Sequence, residues 1–134
     1  MMSQPFVEFL LANKKIDESS ADRISRWAMR NQEPIGMIAV DHGLIVGRQI
    51  DEVLDRQKHS KRKFGELAIE MELLNEENVT VLLQIQQLRM LTGILEALAL
   101  CGIQSLDDGF RLLSDFVTGR GCGAFDVRET AEAV

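Results

Sequence analysis

Cysteine and histidine are scarce in this sequence of 134 residues, with two of each. Cys101 and Cys122 lack the spacing of a disulfide framework or of a metal knuckle. His42 and His59 are equally scattered, so we expect all four side chains to serve packing or the surface rather than metal binding. The sequence therefore predicts no metal site and no cofactor.

Long apolar runs and an excess of positive charge are also missing. The longest weakly polar run, residues 90–103, is too short to span a bilayer and contains Glu96. The N-terminus has no charged segment followed by an apolar signal core, so we expect a cytoplasmic protein without membrane insertion. A net charge of −6 disfavours binding to nucleic acid or to an anionic membrane.

Catalytic motifs are absent as well. The segment TGRGCG at residues 118–123 lacks the Gly-Lys-Ser/Thr ending of a phosphate loop and does not stand between a strand and a helix. The acidic pairs Glu76-Glu77 and Asp107-Asp108 fall in predicted first helical turns, where the helix dipole favours carboxylates. We therefore expect that the protein is not an enzyme.

An internal repeat with a period of 29 residues dominates what is present. Shifting the sequence by that interval superposes apolar residues of three copies, such as Phe6, Ile35 and Phe64, and a further set whose fourth member belongs to a weaker copy: Ile16, Ile45, Leu74 and Ile103. With 46% apolar residues, the chain is long enough for one compact domain. We expect the second set to face inward.

Within each copy the apolar residues follow the spacing of a helix face, as in Ile50, Val53 and Leu54. Gly43 and Gly102 are placed to end short helices in the left-handed conformation. Each copy thus predicts a short helix, a tight turn and a longer helix. The N-caps of the longer helices include Asn75 and Ser105, and the methionines and Trp27 lie mostly at core spacing.

These signals predict an all-α fold of tandem helical hairpins with a 29-residue period, packed into one bundle. The expected domain covers residues 1–118, with repeats near 5–32, 34–57 and 63–86 and a weak fourth copy at 92–118. Residues 119–134 lose the apolar period and gain glycine, which predicts a flexible tail.

Some repeated residues are not required by helix formation. Gly36 and Gly65 stand in the first turns of predicted helices, where glycine is worse than alanine by roughly 1 kcal/mol. Close approach of another helix or of a flat ligand would explain both. Gln57 and Gln86 each follow their glycine by 21 residues, either on a solvated helix face or at a ligand.

A basic segment, residues 56–63, carries five cations and ends at Arg62 and Lys63, directly before Phe64 and Gly65. In an otherwise acidic chain this segment is either a solvated linker or a cradle for an anion.

The two copies Pro34–Gln57 and Lys63–Gln86 each contain a leading residue, an apolar residue and glycine, an apolar stretch, and a closing glutamine, within 24 residues. This pattern resembles the cyclic-di-GMP-binding motif of the MshEN domain, the N-terminal region of type II secretion and type IV pilus assembly ATPases. The leading arginine of that family is replaced by Pro34 and Lys63, and Glu72 replaces an inner glycine that Gly43 matches.

The resemblance implies two tandem motifs that hold the two halves of cyclic di-GMP. The ligand-binding residues that it implies here are Ile35, Gly36, Gln57, Arg62, Lys63, Phe64, Gly65 and Gln86. Our main hypothesis is a non-catalytic regulatory or adaptor module with degenerate nucleotide motifs, which docks a protein partner in a secretion, pilus or related bacterial machinery. The alternative hypothesis is a functional cyclic-di-GMP receptor that uses Arg62 or Lys63.

Overall fold

A computed structural model describes residues 4–120, leaving out the side chain of residue 120. Across that range the chain forms seven helices and no strand, which confirms the predicted all-α fold. The helices are α1 (Pro5–Ala12), α2 (Glu18–Arg30), α3 (Ile35–Asp41), α4 (Gly47–Lys58), α5 (Phe64–Glu70), α6 (Glu76–Leu100) and α7 (Leu106–Arg120).

Short and long helices alternate in the first three copies. The long helices α2, α4 and α6 begin at Glu18, Gly47 and Glu76, which are 29 residues apart. The expected fourth copy differs, because its first residues form the last turns of α6 rather than a separate short helix. Helix α7 then continues to Arg120, so residues 119 and 120 are helical, and the rest of the predicted tail lies outside the described residues.

Each turn after a short helix contains a residue in the left-handed conformation. Gly43 and Gly102 have φ angles of 73° and 72°, as their positions predicted. At the equivalent positions Lys14 and Glu72 adopt φ angles of 57° and 61° despite their side chains. The left-handed residue reverses the chain, and in a non-glycine residue it carries a steric strain of about 1 kcal/mol.

Local hydrogen bonds start the long helices. The Asn78 N–H donates to Asn75 Oδ1 over 2.7 Å, and the Asp108 N–H donates to Ser105 Oγ over 3.1 Å, so both predicted N-caps are confirmed. In α2 the Ser20 N–H donates to Asp17 Oδ1 over 2.7 Å. The hydrogen bonds from Ser20 lower the pKa of the Asp17 carboxyl below its usual value.

The described residues divide into two compact units. Unit 1 comprises residues 4–32 and 88–120, and unit 2 comprises residues 33–87, so α6 contributes to both. The unit 1 core joins residues of α1, α2, the second half of α6 and α7, including Phe6, Ile24, Leu95 and Phe116.

Unit 2 has a core of its own, built from α3, α4, α5 and the first half of α6. It includes Ile38, Val53, Leu67 and Leu82. The residues expected to face inward are buried at Ile16, Ile45 and Leu74 and half-buried at Ile103.

Candidate functional site

All eight residues of the predicted nucleotide site belong to unit 2. Ile35 and Gly36 form the first turn of α3, and Phe64 and Gly65 form the first turn of α5. The closing glutamines lie in the last turn of α4 and within α6, and Arg62 and Lys63 precede α5: Gln57, Gln86, Arg62 and Lys63.

The ring of Phe64 packs on the backbone of Gly36. A Cβ atom at residue 36 would lie 2.9 Å from Phe64 Cζ, closer than such atoms approach in real proteins. Both Ile35 and Phe64 are buried, with exposed fractions of 0% and 1%, and Gly65 is buried in α5. A side chain of the next short helix therefore makes the close approach that Gly36 predicted.

The closing glutamines bind the backbone of the motifs themselves. Gln57 Nε2 donates to the carbonyl oxygen of Arg62 over 3.2 Å, and Gln86 Nε2 donates to the carbonyl oxygen of Glu33 over 2.9 Å. Residues 57 and 86 differ by 29, as do 33 and 62, so equivalent donors meet equivalent acceptors. Because Gln86 of the second copy binds the start of the first, the two copies complete each other.

Burial distinguishes the two glutamines. Gln57 is half-buried, whereas Gln86 is only 1% exposed and its Oε1 atom accepts no hydrogen bond. Neither side chain lies on a solvated helix face. A buried amide oxygen without a donor is unfavourable by about 1–3 kcal/mol, which the Nε2 hydrogen bond and the surrounding packing must offset.

The two cations before α5 have different surroundings. Arg62 Nη1 forms an ion pair with Glu70 Oε2, and both side chains are about half exposed. Lys63 donates its backbone N–H to Glu66 Oε1 over 3.0 Å, while its exposed ammonium group has no ion-pair partner among residues 4–120. The ammonium group of Lys63 is thus the cation of this segment's end that is available to an anion.

A groove in unit 1 is a second candidate site, and the sequence did not predict it. Its volume is about 810 Å³, and it runs between α2 and the second half of α6. Trp27 is 37% exposed and lies over Gly93, where an added Cβ would be 3.1 Å from Trp27 Cη2. Ala97 and Leu100 continue the apolar lining, and Leu100 is 88% exposed.

Arginine side chains border this groove. Arg23, Arg26 and Arg30 line it from α2, at the spacing of one helix face. Arg26 is paired with Asp22 on the same helix, and Glu96 is the one carboxylate in the lining. The groove therefore combines an apolar floor with net positive charge, in a chain whose net charge is −6.

The expectation that Trp27 serves core packing was wrong, because over a third of its surface is exposed. The arginines at positions 23, 26 and 30 around a tryptophan were the signal that could have indicated the groove. Glycine at position 93 inside a long helix was a second signal, since helix interiors disfavour glycine by roughly 1 kcal/mol.

Neither a metal site nor a membrane span is found between residues 4 and 120. No group of three or more His, Cys, Asp or Glu side chains in that range could hold a metal ion. No helix in the same range is long and apolar enough to cross a bilayer. Comparison of the chain with protein-family models, curated proteins and solved structures found no match.

Proposed function

We propose that this protein is a non-catalytic docking module that binds a protein partner through the unit 1 groove. The observation that carries the proposal is the apolar groove containing Trp27 and Leu100. Its partner belongs, on the MshEN resemblance, to a secretion, pilus or related bacterial machinery.

The exposed apolar surface supports docking. Leaving Leu100 and Trp27 in contact with water is unfavourable, and contiguous apolar surface of this kind commonly marks an interaction site. Aromatic and arginine side chains are enriched at protein interfaces, because both combine apolar contact area with hydrogen-bond donors. The groove supplies Trp27 together with Arg23 and Arg30.

The tandem motif supports the same proposal by what its residues already do. Phe64 covers Gly36, and the amide groups of Gln57 and Gln86 bind backbone carbonyls of unit 2. Residues that the resemblance assigns to a nucleotide thus contribute to the stability of unit 2, which favours a module that has exchanged a ligand for internal contacts.

Affinity capture with matched variants tests the docking function. The protein is immobilised as wild type, as Ala97→Glu, which puts a charge into the groove, and as Val81→Glu, which changes an exposed apolar residue of the same helix outside it. We expect a defined protein to be retained by wild type and by Val81→Glu and lost from Ala97→Glu. Equal retention by all three folded proteins would remove the groove from the function.

Cyclic-di-GMP binding is the second candidate function. One observation favours it: the exposed ammonium group of Lys63 has no ion-pair partner among residues 4–120 and stands directly before Phe64 and Gly65. A lysine can pair with one phosphate as a point charge, but it lacks the two-donor geometry of an arginine. Calorimetric titration with cyclic di-GMP tests this candidate.

A further inference from the structure

We propose that the occupant of the unit 1 groove is an amphipathic helix of the partner protein whose polar flank is acidic. This inference rests on the proposed docking function and adds the chemistry of the segment that is bound.

The walls of the groove fix the shape of the occupant. Helix α2 has 13 residues and is therefore about 20 Å long, and the second half of α6 forms the opposite wall. A surface between two helices accepts the ridge of a third helix, whose apolar side chains recur every three or four residues. Gly93 and Ala97 keep the floor low, so the side chains of such a ridge can enter.

Charge determines the flank of the occupant. Arg23 and Arg30 are exposed along the α2 wall, and no ion pair of either is found within residues 4–120. Arg26 already has Asp22 as a partner, and Glu96 is a single opposing charge. Carboxylates on the α2 side of the bound helix would therefore pair with Arg23 and Arg30.

Unsupported apolar surface next to two unpaired arginines favours a protein segment over a purely anionic ligand. A nucleic acid or a lipid headgroup would satisfy the arginines but would leave Trp27 and Leu100 without contacts from apolar side chains. The net charge of −6 also opposes approach of a polyanion to the rest of the protein.

Trp27 is the sole tryptophan of the chain, so its fluorescence reports on the groove directly. The probe is a synthetic helical peptide of about 18 residues, long enough to follow the groove, with Leu at one face and Glu at one flank and no Trp or Tyr. We expect saturable binding with a blue shift of Trp27 emission as its exposed ring is covered. Raising the salt from about 0.05 M to about 0.5 M should weaken the affinity by about tenfold.

Two peptide controls separate charge from apolar contact. Replacing every Glu of the peptide by Gln should weaken binding by about tenfold, because two charge-assisted contacts are lost. Replacing a central Leu by Pro breaks the helix and should abolish the blue shift.

Charge reversal in the protein gives the sharpest comparison. Arg23→Glu with Arg30→Glu should lose the acidic peptide and gain a matched peptide that carries Lys in place of Glu. The control is Arg48→Glu with Arg56→Glu, two exposed arginines of α4 in unit 2, which should leave both affinities unchanged. Circular dichroism verifies that every variant is folded.

The inference is overturned if the Gln peptide binds as tightly as the Glu peptide, or if charge reversal changes neither affinity. It is also overturned if anionic vesicles or a second copy of this protein cover Trp27 and the acidic peptide does not. Loss of peptide binding, with a captured protein that still depends on Ala97, would reject the acidic helix and leave the docking function standing. Loss of both would reject the two proposals together.

Discussion

Gln86 Nε2 donates to the carbonyl oxygen of Glu33 over 2.9 Å, which joins residues 53 positions apart in the sequence. The equivalent Gln57 binds the carbonyl oxygen of Arg62, at the start of the second copy. Each glutamine thus fixes the backbone that leads into a short helix. This exchange gives the repetition a purpose in folding, because the second copy supplies the donor that the first copy requires.

Replacing the two glutamines by alanine should reveal their different burial. Gln86→Ala should lower the free energy of unfolding by about 1–3 kcal/mol, since it removes a buried donor to the Glu33 carbonyl and leaves a cavity. Gln57→Ala should lower it by about 0.5–1 kcal/mol, because water can reach the half-buried site. Urea unfolding measures both. Equal losses would contradict the assigned role of Gln86.

Adding a methyl group at residue 36 should disturb the contact with Phe64. Gly36→Ala is expected to lower the free energy of unfolding by about 1–3 kcal/mol, because the ring must move away from a Cβ only 2.9 Å distant. Gly47→Ala is the matched control, since nothing lies within 4 Å of a Cβ there, and it should be neutral or stabilising. In a double-mutant cycle, Phe64→Leu should reduce the effect of Gly36→Ala. Additive effects would argue against this contact.

Glycine at residue 72 should stabilise the protein. Glu72 has a φ angle of 61°, and glycine adopts that conformation without steric strain, so Glu72→Gly should raise the free energy of unfolding by about 1 kcal/mol. Glu72→Ala removes the same carboxylate and keeps the Cβ, so it should give no such gain. Thermal unfolding of the two variants decides between strain and charge, and an equal rise in both midpoints would assign the effect to the lost charge.

Two neighbouring residues of α6 provide a test of the unit 2 core. Leu82 is 1% exposed and Val81 is 49% exposed. Leu82→Asp should unfold the domain, because a charge without a partner would be placed among apolar side chains at a cost of several kcal/mol. Val81→Asp should remain folded. Far-ultraviolet circular dichroism compares them, and a folded Leu82→Asp protein would show that the register of α6 is wrong.

Local signals predicted the helices well, because caps and turns depend on neighbouring residues. Gly43 and Asn75 are examples: each acts on the backbone within a few positions of itself. Gly36 indicated that something approaches closely, but only the packing of α3 against α5 identifies the ring of Phe64. The sequence gives no local sign of that choice.

Long-range contacts explain what the sequence analysis missed. The Gln86 side chain has a helix-compatible residue type whose partner, the Glu33 carbonyl, carries no side-chain signal at all. Trp27 was assigned to the core because its spacing is helical, yet spacing alone does not say whether a neighbouring helix covers the ring. The groove arises from the separation of α2 and α6 in unit 1, which only tertiary packing determines.

Restoring the leading arginines should test how far the motif has diverged. Pro34→Arg combined with Lys63→Arg returns two planar donors to the starts of α3 and α5. Losing a charge-assisted hydrogen bond weakens binding by about tenfold to a hundredfold, so a surviving nucleotide surface should gain at least that affinity in the restored protein. A folded double variant without any gain would show that the divergence extends beyond these two residues.

Calorimetric titration of the wild-type protein with cyclic di-GMP tests most directly the central claim that the tandem motif now serves the fold rather than a nucleotide. With Phe64 on Gly36 and both glutamine amides bound to backbone carbonyls, we expect heats no larger than those of dilution. Lys63→Ala, measured in parallel, should give the same trace. Saturable binding by the wild type that Lys63→Ala abolishes would contradict the claim and establish the receptor function in its place.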